Sequence, residues 1–349
     1  MPTRLEPDSG LAGLPPASFA LVMATGIVSI AARLQGLHAL SSALFAFNVA
    51  AWLALCLLTV LRLGRHPGRM LQDLRDHLRG PGYFTAVAGT AVLASQFAIF
   101  DLSIRAALAL AALAALLWFC LTYAVFAVLT VKEDKPALDK GINGGWLLAV
   151  VATQSLAVLG ALLAARLPQP ARLQLNFVAL SMWLWGGMLY TWMMSLIFYR
   201  YTFFRLAPDD LTPPYWINMG AMAISTLAGS LLVMNAPDAP FLQALLPFLK
   251  GFTVLYWATG TWWIPMLLVL GVWRYVVRRF PLRYDALYWG AVFPLGMYSA
   301  ATHQMTAALQ LDFLGGIAPA FLAVALVAWS AAFVGLVRRL LRQNPIHEA

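Results

Sequence analysis

Residues 106–131 read AALALAALAALLWFCLTYAVFAVLTV, an unbroken run with no charge, no glycine and no proline. A helix that crosses the hydrocarbon core of a bilayer needs roughly 20 mainly apolar residues, so this run is long enough to span. It lacks the strict alternation of a barrel strand. Lipid offers no partner to free backbone N–H and C=O groups, so a helix is forced.

Working outward, similar stretches recur along the whole chain. We read ten spans, at 16–34, 40–61, 82–100, 103–131, 142–165, 173–199, 214–235, 251–273, 286–308 and 313–337. Segment 241–249 is too short to cross and reads as a lead into the eighth span. The chain is 62% apolar and only 11% charged, far from a soluble domain. The longest hydrophilic connection lies near 62–81, so residues 1–349 form a single transmembrane domain with no soluble domain appended. The expected fold class is an all-α integral membrane protein.

All 14 acidic residues fall in the tails, in the connections or at the very ends of the spans. A transmembrane group that binds and releases protons is usually a carboxylate, and none stands at mid-depth. That favours a passive path, channel or uniporter, over a proton-driven pump.

Basic residues set the orientation. With the N-terminus in the cytoplasm, the inner side receives Arg4, the basic residues of 62–79, 132–140, 200–205 and 274–283, and those of the tail at 338–342. The outer side receives only Arg33, Arg105, Arg166, Arg172 and Lys250. This asymmetry predicts both termini inside and an even number of spans. The net charge of +9 follows from the same rule, and a basic inner mouth would also concentrate anions. Charge spread over several loops and a tail does not suit nucleic acid. The first eleven residues carry Glu6 and Asp8 and lack a basic n-region, so no signal peptide is expected. Cys56 and Cys120 both fall inside spans and read as small apolar residues, not as metal ligands. We expect no cofactor and no metal.

The spans look paired. Spans 2 and 4 contain no Gly or Pro, whereas the odd spans each contain two or three; the contrast fades at spans 8 and 10. The mid-span polar residues Gln96, Gln154, His303 and Gln304 follow the odd set, against Asn48 in an even span. Small, kinked, mildly polar helices suit the inside of a bundle and smoother ones its lipid face. This predicts five helical hairpins with the odd helices inside.

Four segments carry the candidate chemistry. The first span contains Met23-Ala24-Thr25-Gly26-Ile27-Val28-Ser29, where adjacent Thr and Gly leave a shallow surface with a hydroxyl. That suits an anion path or close helix packing. The fifth span opens Gly141-Ile142-Asn143-Gly144-Gly145-Trp146. Its glycines either present helix N-terminal N–H groups to an anion or form a tight turn with a Trp anchor. The ninth span reads Tyr288-Trp289-Gly290-Ala291-Val292-Phe293-Pro294-Leu295-Gly296. Pro294, flanked by Gly290 and Gly296, should break the helical ladder and place Phe293 at a kink. His303, the only histidine inside a span, either packs in a hydrogen bond or binds substrate or a proton.

Taken in order, PPASFALVMATGIVSIA of the first span, GPGYFTAVAGT of the third, NGGWLLAVVATQS of the fifth and YWGAVFP of the ninth resemble the tellurite-resistance/dicarboxylate transporter family. This family includes the plant guard-cell slow anion channels, the fungal malate permeases and the fungal sulfite exporters. The resemblance covers about 14 to 340. The Met-Ala-Thr-Gly-Ile-Val string looks closest to the malate and sulfite branch, which tends to carry Gly where this chain has Ala24.

The resemblance implies ten helices in five hairpins, a central pore formed by the odd helices, and a homotrimer. It implies a pore gate at Phe293, with Pro294 and Gly290 at the kink. Candidate lining residues are Thr25, Gly26, Ser29, Thr90, Gly145, Ser225 and Thr302. The expected cargo is a small anion such as chloride, nitrate, sulfite, tellurite or a C4-dicarboxylate like malate, crossing the cell (inner) membrane. Arg and Lys are absent from mid-depth, so binding would be weak and exit fast. The plant channels carry long cytosolic tails that receive kinase signals. Residues 1–15 and 338–349 are short by comparison, so such a switch is not expected, nor is an Arg-rich voltage sensor.

Two rivals stand beside this reading. A proton-coupled carrier that exports sulfite or moves dicarboxylates would use the same scaffold, with His303 as its proton site. A membrane enzyme would show paired His, Cys or carboxylates near one face. Here His38, His66, His77, His303 and His347 are scattered, so no enzyme is expected.

Overall fold

The computed structural model describes residues 10–281 and 285–343. Arg4, Arg283 and His347 lie outside these described residues. Among the described residues the chain is helical, with no strand. Its long helices are α1 (Ala20–Leu34), α2 (His38–Arg65), α3 (Phe84–Ile99), α4 (Ile104–Val131), α5 (Leu148–Ala164), α6 (Ala171–Phe203), α7 (Ile217–Asn235), α8 (Leu246–Val272), α9 (Trp289–Leu309) and α10 (Ile317–Gln343). The short helix Pro240–Ala244 leads into α8.

Eight of these segments are long and apolar enough to cross a membrane. α6 and α9 are long but fall outside that set. The reason is composition. α6 carries several Trp and Tyr residues, Asn176 and the pair Gly186-Gly187, and α9 carries Thr302, His303 and Gln304 beside Pro294. Aromatic hydroxyls, indoles and amides dilute the apolar signal even where they are buried.

Exposure separates odd from even. The spans containing α1, α3, α5 and α7 are 72%, 78%, 83% and 94% buried, against 11%, 17%, 22% and 17% for those containing α2, α4, α8 and α10. α9 is also buried along most of its length. Each odd helix packs on the next, and α9 packs back on α1 to close an inner ring. Each even helix packs outside the odd helix that precedes it. Small residues let the inner backbones approach closely. A Cβ on Gly26 would sit 2.5 Å from Val92 and 2.8 Å from Asn48. One on Gly296 would sit 2.9 Å from Val28.

Every odd helix is preceded by a 3₁₀ turn: Pro16–Phe19, Gly80–Tyr83, Gly144–Leu147, Pro213–Trp216 and Ala286–Tyr288.

Pro294 has no N–H and takes one rung out of the α9 ladder. α9 runs through it without interruption from Trp289 to Leu309. Pro294 lies in the second turn, so the bond it forfeits is the one to the carbonyl of Gly290. That carbonyl is at the helix start, where the chain is still leaving its 3₁₀ turn, so the loss is tolerated.

Candidate functional site

Two cavities lie on the axis of the inner ring, one towards each end. The first, of about 320 Å³, opens among the 3₁₀ turns and takes a residue from the start of each odd helix: Ala20, Thr85, Leu148, Ile217 and Gly290. The second is a crevice of only about 20 Å³ and takes Ile27, Val92, Ser155, Ile224 and Met297. In each helix the two lining residues are seven positions apart. Seven residues are close to two turns, so both lie on one face, about 10 Å apart along the axis. Five independent helices therefore turn the same face to the same axis.

Between the two rows, three or four positions on from the first, lie Met23 and Ala24 of α1, Ala88 and Gly89 of α3, Val151 and Ala152 of α5, Gly220 and Ala221 of α7, and Phe293 and Pro294 of α9, all buried. Phe293 is the one aromatic ring among them and is fully buried. Pro294 is turned to α7, where a Cβ on Gly220 would meet it at 2.8 Å.

The wider cavity has charge at its rim. Arg79 and Asp285 both line it. Arg79 Nε holds Asp73 at 2.6 Å while keeping half of its side chain exposed. The buried Arg62 holds the same carboxylate at 2.7 Å and also donates to the carbonyl of Ala12. Two guanidinium groups thus share the Asp73 carboxylate, and Asp285 puts a negative charge on the same lining.

The residues singled out in the sequence are distributed as follows. Gly145 and Gly290 line the wider cavity. The N–H of Gly145 donates to Asn143 Oδ1 at 2.8 Å, and that of Gly141 to the carbonyl of Ala137. The N–H groups of Gly141 and Gly145 are thus engaged within the turn. Trp146 anchors it by donating to the carbonyl of Gly141.

Thr25, Gly26, Ser29, Thr90, Ser225 and Thr302 line neither cavity. Gly26 is a contact between α1, α2 and α3. Ser29 and Ser41 exchange hydroxyl-to-carbonyl bonds, each 2.8 Å long, between α1 and α2. The hydroxyls of Thr25, Thr90 and Thr302 each accept from an indole N–H. The donors are Trp329 of α10, Trp52 of α2 and Trp257 of α8, all at 3.0 Å. Thr153 of α5 accepts in the same way from Trp118 of α4, and the carbonyl of Ser225 accepts from Trp183 of α6. Each outer helix is thereby tied to the odd helix that follows it, and α10 to α1.

Sequence reasoning took these hydroxyls as lining because they are the polar groups of the odd spans. It missed the tryptophans. One indole in each even span was the available signal: a buried Trp N–H needs an acceptor, and the bilayer supplies none.

His303 is half-buried and sits one position before Gln304, which lines the narrow crevice. Gln96 accepts from Asn48 Nδ2 at 2.7 Å, and Gln154 donates to the carbonyl of Trp183. Cys56 and Cys120 are both free thiols.

Comparison with known proteins gives the lineage. A family model described as voltage-dependent anion channel (SLAC1) matches residues 13–337. An uncharacterized membrane protein of Mycobacterium tuberculosis is 41% identical over 152 residues, 44% of this chain and 77% of that protein. Two uncharacterized transporters of Methanocaldococcus jannaschii are each 25% identical. One aligns over 299 residues, 82% of both chains, and the other over 311 residues, 86% of both. With a match that runs from the first 3₁₀ turn to the last helix, this multi-pass membrane protein belongs to the voltage-dependent anion channel (SLAC1) family.

Proposed function

We propose that the chain is a gated anion channel, with a conduction path down the axis of the five odd helices and Phe293 as its gate. One observation carries this reading. The two cavities are walled by the same faces of the same five helices, and Phe293 is the buried aromatic ring in the turn between them, between Gly290 and Met297 of α9.

An anion enters the wider cavity, whose rim carries Arg79. It cannot pass the turn that holds Phe293, because stripping its water against apolar groups is prohibitive. When the ring of Phe293 swings aside, the path opens. No Lys or Arg lies among the residues of the crevice beyond, so nothing there traps the ion and exit is fast.

On this reading the ten long helices are five transmembrane hairpins around the path. The basic-residue asymmetry supports a cytoplasmic side for the wider cavity and both termini, at the cell membrane. The resemblance adds a homotrimer, in which each copy holds its own path, and names the cargo class: chloride, nitrate, sulfite, tellurite or malate-like anions. The family is one of channels and transporters, not of enzymes. The test is anion flux in proteoliposomes at clamped potential, wild type against Phe293→Ala. Flux should rise and follow the electrical gradient. Flux in the variant that instead requires a proton gradient would replace the channel by the coupled carrier and bring His303 under test.

A further inference from the structure

A second site lies off the axis, at the end of the bundle where α8 finishes. Beyond Val272 the helix widens into a single π-helical turn, Trp273–Val277, and Arg274 is on it. Such turns often mark functional positions. Arg274 is buried, at 7% exposure. One guanidinium N–H donates to the carbonyl of Leu211. The guanidinium also lies over the rings of Phe280, at 4.3 Å, and Tyr275, at 5.1 Å. Its Nε–H has no partner. Among the described residues no carboxylate comes within salt-bridge distance of it.

An arginine does not neutralise by losing its proton, and a buried charge without a counter-ion is expensive. The other buried arginines are compensated. Arg62 holds Asp73, and Arg200 holds Asp210 at 3.1 Å together with the hydroxyl of Tyr215. Arg274 alone of the three faces open space in place of an anion.

That space has two parts. A crevice of about 120 Å³ runs from Arg274 towards the apolar part of the bundle, past Trp216, Leu267, Gly271 and Ala291. A polar cavity of about 350 Å³ runs the other way, past Thr212, Phe280 and Tyr288, to the exposed Asp209 and Asp285. Arg274, Thr212, Pro213 and Tyr288 border both parts. The layout is an apolar slot, a fixed cation at its neck, and carboxylates at the aqueous mouth.

We propose that Arg274 binds the phosphoryl group of a phosphate-bearing ligand. The guanidinium fork matches phosphate oxygens. The mainly apolar lining of the slot suits an acyl chain, and the carboxylates at the mouth suit a headgroup that also carries an ammonium. Thr212, Asp285 and Leu287 line the axial cavity as well, so an occupant touches the wall of the wider cavity. The assignment does not depend on the gate reading.

The experiment is thermal unfolding of the full chain in a phosphate-free detergent, titrated with three probes: dihexanoyl phosphatidylethanolamine, dihexanoylglycerol and inorganic phosphate. A ligand that binds only the folded state raises Tm saturably. The wild type should respond to the phospholipid and not to the diacylglycerol, and Arg274→Gln should lose the response. Arg274→Lys keeps charge without the fork and should need more ligand for half-saturation, which preserves the test if the glutamine variant does not fold. Gly271→Phe fills the slot, where a Cβ meets nothing within 4 Å. It should abolish the phospholipid response. If inorganic phosphate gives an Arg274-dependent rise that Gly271→Phe leaves intact, the phosphoryl site stands and its source is soluble. A wild type that responds equally to the diacylglycerol, or an Arg274→Gln variant that responds as the wild type does, overturns the proposal.

Discussion

Phe293→Ala tests the axial path most directly, and its size follows from the burial of the ring. Phe293 is 0% exposed. Truncating a buried phenylalanine to alanine costs about 3–5 kcal/mol of transfer and cavity energy. A ring that leaves its site to open the path forfeits much of the same packing, plus about 0.5–1.5 kcal/mol if it leaves its rotamer well. Taking about 3–4 kcal/mol as the free energy that holds the path closed, and about 1.4 kcal/mol per factor of ten, the closed state outweighs the open one by roughly 10²- to 10³-fold. Removing the ring removes that bias. Flux in proteoliposomes should therefore rise by about 10²- to 10³-fold, while the variant loses about 3–5 kcal/mol of stability. Phe84→Ala is the control. Phe84 is as deeply buried, at 1%, but pairs with Phe126 between α3 and α4. It should lose similar stability and gain no flux. A folded Phe293→Ala protein with wild-type flux, or a Phe84→Ala protein that leaks equally, would refute the gate.

Three further outcomes are expected. Gly26→Ala places a methyl 2.5 Å from Val92 and 2.8 Å from Asn48, so it should destabilise by about 1–3 kcal/mol through overpacking; Tm in detergent reports it, and an unchanged Tm contradicts the packing. The indole bonds between outer and inner helices should each contribute about 0.6 kcal/mol, as interhelical hydrogen bonds in membranes do; a double-mutant cycle of Trp52→Phe with Thr90→Val should give a coupling of that order, and zero coupling would mean the 3.0 Å bond carries no energy. His77, in the connection after α2, is held below the usual imidazole range first by burial and then by Lys132, with Asp76 opposing. Its unfolded form binds protons more readily, so its contribution to stability is present above the ordinary imidazole pKa of about 6.5 and is lost as pH falls through the depressed folded value. Tm measured from pH 8 down to 5 should fall further for the wild type than for His77→Gln, and parallel curves would remove His77 as the cause.

Much of the architecture was legible from composition and order. Runs such as 106–131 must be helices wherever they meet lipid, and the Gly and Pro content of spans 2 and 4 against the odd spans anticipated which helices are exposed. The ordered segments from PPASFALVMATGIVSIA to YWGAVFP carried the family. α6 and α9 were read as spans, and among the described residues they fall outside the eight that are long and apolar enough to cross. The faces were harder. The residues that line the cavities include Ala20, Ile27, Val92, Leu148 and Met297, side chains with nothing to distinguish them from core. Thr25, Thr90 and Thr302 drew attention because they are polar, and they turned out to satisfy indoles on neighbouring helices.

The division has a physical cause. Length, apolarity and charge asymmetry are summed along the chain, so the sequence by itself determines that this is a multi-pass membrane protein. The rotation of each helix about its own axis is set by partners far away in sequence. Trp329 reaches Thr25 across 304 positions, and Gly220 sets α7 against Pro294 of α9. Only the closed ring of five helices decides which residues face its axis, because each helix is fixed by both of its neighbours at once.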